Sequence, residues 1–159
     1  MPRLTSRPMT QDEFDHWQLA LAREYAEHQV DAGNWPREGA LDRARAQNAQ
    51  LLPQGLNTPR TFLLRAIGED GQSVGRAWVS LDHPRGAPDT AFLYDIEIDE
   101  AHRGEGLGRL LLADVERRVA AEGIGALELN VFGNNPTAVA LYESSGYGVV
   151  TQQMRKPLN

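Results

Sequence analysis

The chain reads as a single mixed α/β (α+β) domain, a central and mostly antiparallel sheet flanked by helices. Three observations predict it. Helical periodicity fills the first third of the 159 residues. From Thr61 the texture changes to short strands separated by glycine- and proline-bearing turns. Beyond Ile98, helices and strands alternate. The predicted order is α-α-β-β-β-α-β-α-β, with room for a short extra strand before the first helix. The length suits one domain, with a helical region over about 10–55 and a sheet-bearing core over about 61–155.

Each element has a local cause. Thr10–Gln11–Asp12–Glu13 is a capping box. Behind it Phe14, Trp17, Leu21, Tyr25 and His28 recur at helical spacing, and the helix ends near Gly33. Pro36 begins a second helical stretch, with Leu41, Ala44, Leu51 and Leu52 as a thin apolar stripe, stopped at Pro53–Gln54–Gly55. Thr61–Ile67 and Ser73–Leu81 read as strands joined by the turn Gly68–Gly71, hence a hairpin. A loop over His83–Asp89 leads into a third strand, Thr90–Ile98. A helix runs from about Leu107 to Glu122 and is closed by Gly123. In Ala126–Phe132, Leu127, Leu129 and Val131 alternate with Glu128 and Asn130. Asn135–Pro136 opens the last helix, and Tyr147–Arg155 reads as a final strand.

Composition excludes several classes. With 41% hydrophobic and 24% charged residues, the chain resembles an ordinary globular domain rather than a disordered one. No apolar run approaches the ~18 residues of a membrane helix. The N-terminus lacks the apolar core and cleavage site of a signal peptide, so a cytoplasmic location is expected. The absence of cysteine removes disulfides, thiolate metal sites and cysteine nucleophiles. Lys156 is the single lysine, which argues against Schiff-base chemistry. A net charge of −6 repels nucleic acid and anionic membranes but tolerates a cationic small substrate. His16, His28, His83 and His102 show no paired ligand spacing, so no metal is expected.

The most informative motif is Arg103–Gly104–Glu105–Gly106–Leu107–Gly108. It follows a strand and opens a helix, where close backbone approach and free N–H groups suit a phosphate or pyrophosphate. The dinucleotide fingerprint fails, because Arg109 stands where its last small residue belongs, and the Gly-Lys-Ser/Thr of NTPase loops is absent. Gly71-x-Ser73-x-Gly75 has the letters of a hydrolase nucleophile elbow, but a turn precedes it and a strand follows it, where the elbow needs strand and helix.

Arg103-x-x-Gly106-x-Gly108 resembles the acetyl-CoA signature of the GNAT-type N-acetyltransferase superfamily. Asn135-x-x-Ala138-Val139-x-Leu141-Tyr142-Glu143-x-x-Gly146-Tyr147 resembles that family's second signature, at a typical distance from the first. The resemblance covers roughly residues 61–155. It implies acetyl-CoA as co-substrate, with the backbone from Gly104 through Glu105, Gly106, Leu107 and Gly108 to Arg109 around the pyrophosphate and Arg103 beside it. It implies that the backbone of Ile98 and its neighbour Ile96 holds the pantetheine and polarises the thioester carbonyl. Asn135 and Tyr142 would line the cofactor, with the Tyr142 hydroxyl near the sulfur. The helical region then becomes the acceptor side, and Trp35, between Asn34 and Pro36, a candidate wall of its pocket. The implied acceptor is a small-molecule or peptide primary amine, and a homodimer would be ordinary for the family.

Acetyl transfer needs a neutral amine, a donor for the developing oxyanion and a proton for the leaving thiolate. Without cysteine, direct attack in a ternary complex is the simplest route. Tyr142 is the candidate acid. Asp95, Glu97 and Asp99 share one face of a strand, opposite Tyr94, Ile96 and Ile98. Clustered carboxylates raise one another's pKa, which suits a base near neutral pH, and they would attract a cationic amine. The family resemblance, which implies an acidic residue near this point, makes Glu97 the first candidate base, directly or through water, and Asp95 the second, with Asp95 also suited to bind the amine. The rival reading is a sensor module that binds acyl-CoA without chemistry.

Overall fold

The computed structural model describes residues 2–159. Strand β1 (Leu4–Pro8) fills the place left for an extra N-terminal strand. It is followed by α1 (Gln11–Asp31) and α2 (Ala40–Leu51). Then come β2 (Thr61–Gly68), β3 (Ser73–Ser80) and β4 (Thr90–Ile98), the helix α3 (Leu107–Ala121), β5 (Ala126–Leu129) and α4 (Pro136–Ser144). The sheet order is β1-β2-β3-β4-β5. The first three pairings are antiparallel, and β5 joins β4 in parallel.

The sheet separates two apolar layers. On one face Leu64, Ala66, Ala77, Val79, Ala91 and Leu93 pack against Leu111, Leu112, Val115 and Val119 of α3. On the other, Leu63 and Trp78 meet Phe14, Trp17 and Leu21 of α1. Helix α2 packs on α1 through alanines: Ala22 and Ala26 face Ala40 and Ala44, with Ala44 fully buried. The stripe predicted for α2 holds at Ala44 and Leu52, which are buried, and fails at its other two leucines. Leu41 and Leu51 are 41% and 40% exposed, because small side chains let the helix axes approach closely while the leucines point outward.

The capping box forms in full. Thr10 accepts from the Glu13 N–H, and the Glu13 carboxylate accepts from the Thr10 N–H. Arg7 on β1 adds a two-point ion pair to Glu13, tying the first strand to the first helix.

Two expectations fail at the far end of the chain. The fifth strand stops at Leu129 rather than Phe132, and Tyr147–Arg155 forms no strand. The tail lacks alternation: Val149 and Val150 are adjacent, and both are largely exposed. It runs instead to the helical pair, where Arg155 donates to the Ala32 carbonyl and to Asn34.

Thr10→Ala should lower unfolding free energy by about 1 kcal/mol, read by urea denaturation. The hydrogen bond from Arg7, against a smaller opposing effect of burial, holds the Glu13 carboxyl down to about 2 from an ordinary 4.5. That contribution to stability is complete above pH 4.5 and fades as pH falls towards 2. Thermal melts of Glu13→Gln should lose this part of the acid dependence.

Candidate active site

The pairing of β4 with β5 covers only Thr90–Leu93 against Ala126–Leu129. Beyond Leu93 the ladder ends, because β5 stops at Leu129, and β4 continues without a partner on that side. At the same point the register against β3 slips: Val79 faces Leu93 and Trp78 faces Asp95, so Tyr94 is an extra residue, a β-bulge. The bulge corrects the predicted alternation. Tyr94 does not share a face with Ile96 and Ile98. It turns to the α1 side and stacks on Trp78 with ring centroids 4.5 Å apart.

The parted strand exposes backbone. The Asp99 N–H donates to Val74 on β3 at 2.8 Å. Backbone groups alternate along a strand, so those of Glu97 also face β3, and those of Ile96 and Ile98 face the opening. Arg103 approaches from that side and donates through Nε to the Ile98 carbonyl at 3.0 Å. The Ile96 and Ile98 side chains join the core on the α3 face.

One edge of the opening is the start of α3. Gly106 is its N-cap, at φ +79°, with no side chain capping the helix. Gly104 also has positive φ, at +80°. These glycines bend the loop so that the first N–H groups of α3 are free for an anion. Gly108, on the first turn, lies beside Ile98 and Leu141, where an added Cβ would make ordinary contacts at 3.9 and 3.6 Å. The Arg103 guanidinium is on Glu97, at 2.5 Å. Arg109 binds Ser144 and Ser145 at 2.8 and 3.0 Å and joins α3 to α4. Glu105 points outward, with 60% of its side chain exposed.

The other edge is α4. Asn135 caps it, accepting from the Ala138 N–H at 3.2 Å, with Pro136 in the first turn. Tyr142 rests on the core beside Tyr147. Burial, with smaller contributions from the charges of Asp95 and Glu97, pushes its hydroxyl up to about 12. It is therefore protonated at neutral pH and able to donate. Tyr147 is fixed by a 2.6 Å hydrogen bond to Glu116 of α3.

On the α1 side of β4 the carboxylates differ. Asp95 is 10% exposed, and its Oδ2 accepts from the Trp17 indole at 2.9 Å and from Arg76 Nε at 2.8 Å. Arg76 also reaches Glu24 of α1 at 2.5 Å. Asp99 pairs with Arg65 at 3.3 Å. Glu97 is 35% exposed and meets only Arg103, which is itself 55% exposed. Burial raises the Glu97 carboxyl above the usual carboxylate range. Arg76 opposes this, Glu24 and Asp95 reinforce it, and Arg103 pulls weakly against it.

The sequence reading missed Trp17, Glu24 and Arg76. One signal was available: an arginine amid the buried run Val74–Val79 needs a carboxylate partner. Trp35 is buried between α1 and α2, edge-on to Tyr25 and covered by Arg43. It packs the helical pair rather than lining an open pocket. Ser73 begins β3 and accepts from Arg65, so the elbow letters have no elbow. Among the described residues no cluster of histidine or carboxylate side chains could hold a metal ion, and no helix is long and apolar enough to cross a membrane.

The fold and its motifs can be set beside known proteins. The model of the acetyltransferase (GNAT) family matches residues 16–147, and the chain belongs to that family. It is 30% identical to the uncharacterized N-acetyltransferase YdgE of Bacillus subtilis, over 97% of this chain and 98% of that one. The crystal structure of YycN of B. subtilis, described as an uncharacterized N-acetyltransferase, superposes with a TM-score of 0.92 at 32% identity, covering 99% of each chain. The fold also matches that of AAC(6')-Iy, solved with a CoA-based bisubstrate analogue, at TM-score 0.64 and 19% identity.

Gly75 faces Ile98 across the β3–β4 ladder, and a Cβ there would lie 2.5 Å from the Glu97 carbonyl oxygen. Gly75→Ala must displace backbone beside the opening. It should cost about 1–3 kcal/mol of stability and weaken acetyl-CoA binding by calorimetry, whereas Gly71→Ala should spare binding.

Proposed function

We propose that the protein transfers the acetyl group of acetyl-CoA to a primary amine by direct attack in a ternary complex. The single observation that carries this reading is the opening between β4 and β5. It gathers free backbone donors, a protonated tyrosine and a carboxylate of raised pKa around one gap beside an anion-ready helix start.

In this reading the pyrophosphate lies on the N–H groups from Gly104 to Arg109. The acetyl-pantetheine arm runs along the edge at Ile96 and Ile98, extending the strand by backbone hydrogen bonds to the groups that Arg103 does not occupy. A β4 N–H in the opening donates to the thioester oxygen and stabilises the oxyanion as it forms. Asn135 shapes the cofactor wall by fixing the start of α4. The amine arrives from the α1 side, where acidic side chains favour a cation. Glu97, directly or through water, removes its proton. The amine nitrogen then bonds to the carbonyl carbon, the carbon–sulfur bond breaks and the thiolate takes the Tyr142 proton, while the new amide nitrogen releases its extra proton to solvent, from which Tyr142 is reprotonated. Asp95, tied to Trp17 and Arg76, supports the geometry rather than taking the proton. Trp35 acts through the packing of α1 and α2.

Gly106→Glu should abolish acetyl-CoA binding in calorimetry, because it puts a carboxylate at the pyrophosphate position. Retained micromolar affinity would remove the loop assignment. Tyr142→Phe should lower kcat about 100-fold and leave acetyl-CoA affinity within a few-fold, measured as CoA release over a panel of primary amines. The rate kcat/KM should fall as pH drops through the raised Glu97 pKa, because protonation removes the base. Glu97→Gln should lose that acidic limb, and a limb that survives would exclude Glu97.

A further inference from the structure

Arg76 is the one buried cation of the sheet, 7% exposed, and it stands directly opposite Glu97 in the β3–β4 register. Its guanidinium does not bond Glu97. Nε goes to Asp95 and one terminal nitrogen goes to Glu24. Asp95 takes a second donor, the Trp17 indole, on the same oxygen. Four residues from α1, β3 and β4 are thereby joined, and two of the three carboxylates at the acceptor side of the opening are engaged. Burial works against the Arg76 charge, but Asp95 and then Glu24 outweigh it and keep the guanidinium protonated. The third carboxylate, Glu97, pairs with Arg103, which is 55% exposed and so holds its partner more loosely than buried Arg76 holds Asp95 and Glu24.

We propose that Arg76 is a positioning residue that engages Asp95 and Glu24, leaving Glu97 the one carboxylate of this cluster free to exchange a proton with the incoming amine. The inference rests on the reading of Glu97 as base given above. Its physical content is a division of labour among like charges. Without Arg76, three carboxylates would crowd one side of the opening and share protons, and none would have a defined role. With Arg76, Asp95 and Glu24 become a fixed field acting on Glu97. The same contacts fix α1, through Glu24 and Trp17, to the strand that carries the base, so the acceptor side and the base keep one geometry. The charged groups facing Glu97 are Arg76 on β3, Asp95 on β4, Glu24 on α1 and Arg103 after β4, with the Tyr142 hydroxyl across the opening.

The test titrates Glu97 itself in the full chain, by NMR of carboxylate carbons in protein labelled with 13C-glutamate. Glu97→Gln assigns the signal. Asp95→Asn and Glu24→Gln each remove a repelling charge and free Arg76 towards Glu97, so the Glu97 midpoint should move down by about one pH unit. Arg76→Gln removes the attracting charge and should move it up by a similar amount. A role limited to packing predicts no such opposition of sign. Midpoints that stay in place, or that move in the same direction in all three variants, overturn the inference. Should Arg76→Gln fail to fold, the downward movement in the other two decides alone. The kinetic profile separates this result from the proposed function. If Glu97→Gln keeps its acidic limb while the midpoints shift as expected, the base assignment falls and the charge network stands. If the limb disappears and the midpoints stay still, the network falls and the base stands.

Discussion

The end of strand pairing at Leu93 is the constraint on which the remaining structure turns. A parallel strand pair is stable when its ladder is complete, and here it lasts four residues. The bulge at Tyr94 bends β4 away, and β5 ends before it could follow. Unpaired backbone inside a protein is costly, so an interruption of this kind persists only where water or a ligand satisfies the exposed groups. The elements around it keep the gap open. Gly75 lets β3 approach β4 from behind, α3 and α4 are joined through Arg109, and Asn135 fixes the start of α4. Asp89, in the left-handed region at φ +53°, accepts from the Gly125 N–H at 2.9 Å and so ties the paired end of the two strands together.

The charge network addresses a different problem. A buried ion pair gains little net stability, because desolvating both partners offsets their attraction. Its value here is geometric. Helix α1 touches the sheet through aromatic rings that could slide: Phe14 on Trp17, Trp17 on Trp78, Trp78 on Tyr94. The directional bonds from Trp17 and Arg76 to a single oxygen of Asp95 select one placement from that apolar surface. Loss of either partner would leave a buried group unsatisfied, so the arrangement resists drift more strongly than its net energy suggests.

Much of this was legible in the sequence. The capping box, the three central strands and α3 lie within a residue or two of their expected bounds, because each rests on local chemistry: a cap, a turn, a strict period. Gly106 and Asn135 were legible as helix starts for the same reason. What could not be read is non-local. A bulge at Tyr94 leaves no mark in a run that alternates cleanly, and the alternation placed Tyr94 on the wrong face. The tail after Tyr147 carries enough β-formers to suggest a strand, but a strand also needs an edge to pair with. Trp35 sits in a loop-like setting, yet the alanine-lined approach of α1 and α2 gives it a core to enter. Asp95 and Glu97 look alike in the sequence, and only the positions of Arg76 and Trp17 distinguish them.

The distribution of tryptophan has an optical consequence. All three indoles, Trp17, Trp35 and Trp78, are buried on the α1 side of the sheet, and the glycine loop, α3 and α4 contain none. Intrinsic emission from this protein is therefore a one-sided gauge. It observes the half of the molecule where α1 meets β4, with Trp17 reporting through a carboxylate that can quench or shift it. Chemistry on the far side of the sheet becomes visible to it only when β4 carries the disturbance across.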